Sequence, residues 1–107
     1  MHKAYVMQME HSQLSWSDEK NRQLLETRGL TFEDVAIAIK NDRILNDGPH
    51  PNKARFPNQR VLVVEIDGYA CEVPYVIDGE RIFLKTIFQS RKARRRYSKE
   101  QGNEPQR

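Results

Sequence analysis

Hydrophobic positions follow two different rhythms along this chain. Between residues 17 and 40, in SDEKNRQLLETRGLTFEDVAIAIK, they recur at helical spacing, and between 59 and 87 they alternate or run together as in strands. Ser17 can cap a helix whose first turn carries Asp18 and Glu19, Leu24 and Leu25 supply its apolar side, and Gly29 permits a left-handed stop. A helix is therefore predicted over about 18 to 28. Thr31 can cap a second one, with Asp34 giving a weak capping box and Phe32, Val35, Ala36 and Ile39 on one face. Residues 41–58, NDRILNDGPHPNKARFPN, hold three of the five prolines and little periodicity, so they read as a long connection.

The strand half reads QRVLVVEI, YACEVPYVI and ERIFLKTI, with Asp-Gly between successive runs. Asp-Gly favours two-residue type I′ turns, which predicts a three-strand antiparallel meander. Two-residue loops at both places would set Lys85 opposite Glu72, and Glu72 opposite Val63. Alternation assigns Leu62, Val64, Ile66, Cys71, Val73, Tyr75, Ile82 and Leu84 to a core face beneath the helices. Glu65, Glu72, Arg81, Phe83 and Lys85 fall on the other face, predicted to be charged and open. Pro74 cannot give a ladder hydrogen bond and marks the middle strand for a bulge. The expected fold class is α+β: two N-terminal helices packed on a three- to four-stranded antiparallel meander sheet, followed by a basic C-terminal helix or tail.

At 107 residues the chain has the length of one domain with a modest core. Its longest apolar run falls far short of the roughly 18 residues a membrane span needs. The opening MHKAYVMQMEHSQ lacks a stretch of signal-peptide length, and the lone Cys71 reads as a small core residue, so a reducing cytoplasm is the expected home. Charge alters this bland picture. Residues 90–107 carry seven Lys or Arg against two Glu, a net of +5, which leaves −2 on residues 1–89. So local a basic segment attracts polyanions by charge neutralisation, nucleic acid being the commonest in a cell. A solvated tail, or a dock for an acidic protein surface, accounts for the same charge.

Three features in order resemble the BrnT family of bacterial toxins: W-x-x-x-K-N at Trp16, Lys20 and Asn21, G-L-T-F-E-D-V from Gly29 to Val35, and the meander running into SRKARRRY. The resemblance covers roughly residues 14–97, taken as one toxin-like domain between an N-terminal extension, 1–13, and a polar tail, 98–107. Where the family has an I-S-A-R-like sequence this chain reads L-K-T-I-F-Q-S-R, and its loop GPHPNKARFPNQR is long. The resemblance implies a RelE-like ribonuclease fold and cleavage of RNA with no metal or other cofactor. It also implies a partner, a BrnA-like antitoxin with a ribbon-helix-helix part.

Metal-free RNA cleavage needs a group to take the 2′-hydroxyl proton, cations to neutralise the phosphorane, and a donor for the leaving oxygen. Lys85, Arg91 and Arg94 are the candidate cations, with Arg81 behind them on the same face. His50, in the turn P-H-P, has a suitable unperturbed pKa but suits a structural role equally well. Tyr97 reads first as a core anchor for a terminal helix and otherwise as a candidate proton donor or stacking ring, and Glu65 is a weaker candidate base. Lys92, Arg95, Arg96, Arg55 and Arg60 are expected to contact RNA phosphate. The bland reading of Lys85 is an ion pair with Glu72, and that of the arginines a solvated helix face. No His or Cys pair has metal spacing and no Gly-rich phosphate loop follows a strand, which argues against a zinc site and a nucleotide-binding enzyme. The alternative function is a non-catalytic basic module for nucleic acid or an acidic partner protein.

Overall fold

The structure, a computed structural model, describes residues 13–90. In chain order the elements are β1 Leu14–Ser15, α1 Asp18–Arg28, α2 Phe32–Lys40, β2 Ile44–Pro49, β3 Gln59–Ile66, β4 Tyr69–Asp78, β5 Arg81–Leu84 and β6 Phe88–Gln89. The fold is α+β, and both helices lie at the positions the sequence predicts.

Local chemistry explains both helices. Ser17 Oγ accepts from the Lys20 amide at 3.1 Å, Asp18 and Glu19 complement the N-terminal dipole, and Gly29 closes α1 at φ 69°. Thr31 and Asp34 form a reciprocal capping box at the start of α2. Asn21 ties the two together: its carbonyl accepts from the Phe32 amide at 2.7 Å and its amide donates to Glu33 at 2.8 Å. The second bond holds the Glu33 carboxyl below its ordinary value, so this small contribution is present at neutral pH and fades in acid. Trp16 stacks on Phe32 with centroids 5.5 Å apart. Trp16 and Asn21 of the W-x-x-x-K-N pattern thus set the angle between the helices. Only Leu24 of the expected Leu24–Leu25 pair is buried; Leu25 is 55% exposed.

The sheet is larger than the expected three or four antiparallel strands. Among the described residues it has six, in the order β1-β5-β4-β3-β2 with β6 also on β4, and β1 runs parallel to β5. Ile44–Pro49, within the stretch 41–58 expected to be all connection, is the edge strand β2. Two features hid it. A register shift between Ile44 and Asn46 breaks the alternation, and the inward position at 47 carries an aspartate. His50 donates its amide to the Gln59 carbonyl, so Pro49 occupies a position whose backbone faces away from β3.

The first hairpin has the predicted register, Ile66 to Tyr69 through Gln59 to Val76, and its turn residues Asp67 and Gly68 both have positive φ, 53° and 84°. The second does not. Asp78 pairs with Arg81, so Gly79 and Glu80 form the turn, with positive φ at Gly79 alone. That is the type II′ pattern, which needs glycine only at its first central position. The slip is two residues, so every side chain keeps its face, but Lys85 now lies beside Pro74 and not Glu72: its amide donates to the Pro74 carbonyl at 2.8 Å.

Pro74 cannot return that bond. The ladder breaks there and resumes with Glu72 opposite Phe88, so Thr86 and Ile87 stand against the single residue Val73. The expected bulge therefore lies in the strand beside Pro74, while β4 pairs with β3 without interruption. Arg28 from the end of α1 donates to the Ile87 carbonyl inside the bulge. All eight residues of the predicted core face are buried, joined by Ile87, Leu24, Leu30, Phe32, Val35 and Ala38. Each large side chain among them contributes about 1.5–3 kcal/mol through removal from water.

Asn21→Ala leaves the Phe32 amide without its acceptor and is expected to destabilise by roughly 1–3 kcal/mol. At about 4–8 °C per kcal/mol in a chain of this size, a thermal melt followed by circular dichroism resolves it. An unchanged midpoint would mean that the Trp16–Phe32 stack alone fixes the corner.

Candidate nucleic-acid interface

The sheet face away from the helices, predicted to be charged and open, combines charge with a buried apolar centre. Val63 and Ala70 form its buried middle with Leu45 and Val61 against them. Along the β5–β6 side, register with β4 sets four side chains in a row: Phe88 beside Glu72, Lys85 beside Pro74, Phe83 beside Val76, and Arg81 beside Asp78. Neighbours in the row are two β4 residues apart, about 6.7 Å. Aromatic and cation therefore alternate down one edge of the face. The Lys85 ammonium stands 5.7 Å from the centroid of the Phe83 ring, and Phe88 is 38% exposed. Ser90, the last described residue, donates its amide to Ala70 at the end of this row, and the next residue opens the basic segment.

The other predicted site residues disperse. Glu65 is half-exposed, pairs with Arg43 at 3.5 Å, and helps line a groove of about 270 Å³ between α2 and the Asp67–Gly68 turn. Asp34 and Asp67 also line that groove, so its charge repels phosphate. His50 is built into the loop after β2. Its Nδ1 accepts from the Asn52 amide at 3.0 Å, which leaves the neutral ring's proton on Nε2, and its ring lies 4.6 Å from that of Phe56. Arg55 covers the same Phe56 ring at 5.2 Å, exposed to solvent. Counted in strand spacings and residue rises, Glu65 and His50 each lie about 16 Å from Lys85. Neither shares one phosphate with it. Arg91, Lys92, Arg94, Arg95, Arg96 and Tyr97, and with them the expected C-terminal helix or tail, lie outside the described residues.

Arg60 is at the opposite side of the sheet, in a polar cluster under the helix layer. Tyr75, fully buried, donates its hydroxyl to Asp47 Oδ1 at 2.6 Å, and Arg60 Nε donates to the Tyr75 hydroxyl at 2.9 Å and lies 3.5 Å from Asp47. Burial pushes the Tyr75 phenol well above its ordinary value of about 10, reinforced by the bond to Asp47 and its charge; Arg60 opposes this. The cluster locks β2 to β3 and β4, a structural role for an arginine expected to contact phosphate. Sequence spacing gave no sign of it, since the three residues come from three strands.

Among the described residues no group of three or more His, Cys, Asp or Glu side chains is placed to hold a metal ion. Nor is any described helix long and apolar enough to cross a membrane. Cys71 is buried, and burial raises its thiol to about 11, which keeps it protonated and unreactive at neutral pH.

The raised Tyr75 phenol predicts an alkaline limit to stability. A group whose pKa is higher in the folded protein stabilises fully below its unfolded value near 10, and that contribution disappears as pH rises towards the folded value. Between pH 9 and 12 the urea midpoint should fall, and fall less steeply for Tyr75→Phe, which is less stable at pH 7 because the bond from the Tyr75 hydroxyl to Asp47 is lost. Parallel curves for the two proteins would assign the alkaline loss to other groups.

Comparison with models of protein families, with curated proteins and with solved structures gives no match for this chain.

Proposed function

We propose that this chain is the toxin of a bacterial toxin–antitoxin pair, BrnT-like in sequence and RelE-like in how two helices back its sheet, and that it cleaves RNA in the cytoplasm without a metal ion. The observation that carries the reading is the placement of Arg81, on β5, and Lys85, just after it, on one open sheet face shortly before SRKARRRY. A lysine in that position offers a compact charge to a phosphorane, and Arg91 and Arg94, six and nine residues on, offer bidentate donors. Arg81, Lys92, Arg95 and Arg96 contribute phosphate contacts along the strand. With His50 and Glu65 about 16 Å away, proton transfer falls to Tyr97 in this reading. A ribbon-helix-helix antitoxin with an acidic arm silences the toxin by neutralising the same cations, since arm and RNA compete for one charged surface.

The dispersal of His50 and Glu65 favours a second reading, a basic module that binds nucleic acid or an acidic protein without cutting. Cleavage separates the two. Purified protein incubated with messenger RNA in excess EDTA is expected to yield fragments ending in 2′,3′-cyclic phosphate, the product of attack by the 2′-hydroxyl. Binding without fragments selects the second reading.

Lys85→Ala is expected to lower the cleavage rate tenfold or more, about 1.4 kcal/mol of transition-state stabilisation, and to abolish growth inhibition in cells. The variant should still co-purify with its antitoxin, because one lysine contributes little to a long interface. Undiminished toxicity would move the phosphate role to Arg91 and Arg94.

A further inference from the structure

We infer that Phe83 and Phe88 are a stacking platform for two unpaired bases, with Lys85 between them holding the intervening backbone. The inference rests on the reading that this chain acts on RNA, and names the form of RNA that its sheet face accepts. The two rings sit on the same face, beside Val76 and Glu72 of β4. Those partners are four residues apart, about 13 Å along the strand. Bases in a stacked strand rise by about 3.4 Å each. Two bases seated on these rings therefore cannot stack on each other, and the strand between them must be extended.

Two observations make the rings available for stacking. Phe88 is 38% exposed because the one-residue bulge turns it outward, and Ile87 takes the core position in its place. A strongly hydrated ammonium, that of Lys85, rests over Phe83, so the ring lies within reach of a solvated cation. Around the rings, charge decides where phosphate can go. Glu72 beside Phe88 repels it and Asp78 offsets the charge of Arg81, while Lys85 is set beside the neutral Pro74. The backbone is thus drawn to the middle of the row and the bases to the rings on either side. A duplex cannot use this arrangement, because its base faces are covered by their own neighbours. Every base has a flat π-face, so the platform tolerates sequence.

The test uses the full-length protein and a fluorescein-labelled 12-nucleotide RNA of mixed sequence, alone and annealed to its complement, with affinity followed by anisotropy across a salt series. Phe83→Leu and Phe88→Leu keep apolar bulk and remove the ring. Each is expected to weaken single-strand binding about 5- to 150-fold, with the log–log salt slope unchanged and duplex binding unaffected. Phe88→Trp is expected to retain affinity, its added indole emission being quenched by bound RNA. Leucine variants that bind the single strand like the parent, or that lose single strand and duplex by the same factor, overturn the platform. So does an indole at position 88 that RNA leaves unquenched. If the parent protein binds RNA while the rings prove irrelevant, only the platform falls; if it binds neither form, the RNA reading falls with it.

Discussion

One missing hydrogen governs the open face of this protein. Pro74 has no amide proton to return to the strand beside it, so the ladder there holds one bond, from Lys85, and then breaks. The break admits an extra residue, and an extra residue in a strand exchanges the faces of everything beyond it. Without it Ile87 would stand on the open face and Phe88 in the core. With it Ile87 is fully buried and Phe88 emerges beside Lys85 and Phe83. The carbonyl left over inside the bulge is taken by Arg28, so α1 and the bulge support each other across 59 residues of sequence.

The two sides of the sheet carry different chemistry as a result. Beneath the helices lies a closed apolar core, interrupted by the polar Asp47–Tyr75–Arg60 cluster, which keeps its members bonded and fixes the edge strand in place. At the margin of that layer the groove bordered by Asp34, Glu65 and Asp67 is anionic. On the far side cations alternate with aromatic rings and lead to a segment of net charge +5.

Local patterns foretold local structure well. Ser17, Thr31 and Gly29 marked the helix ends because caps act within three or four residues, and Asp67–Gly68 fixed its turn because both residues tolerate positive φ. The second Asp-Gly misled by two residues, since glycine can open a type II′ turn as readily as it closes a type I′ turn. β2 was illegible because the clue to it, an aspartate facing the core, makes sense only beside Tyr75, 28 residues away. The site was harder still. Lys85 and Arg81 could be assigned to the open face by parity alone, but the emergence of Phe88 depends on a bulge that no periodicity reports. Asn21 carried a recognisable motif, yet its role at the helix corner appears only when Phe32 is folded against it.

Pro49, the last residue of the edge strand, has a consequence for the protein at high concentration. The outer rim of β2 is where a second copy could add a strand and begin an open-ended stack. Its backbone at residue 49 points outward with no N–H to offer, and the irregularity near Leu45 twists the other end away. A visiting strand would find few consecutive bonds between these interruptions. The register shift that helped to conceal β2 in the sequence therefore acts, together with Pro49, as its protection against aggregation.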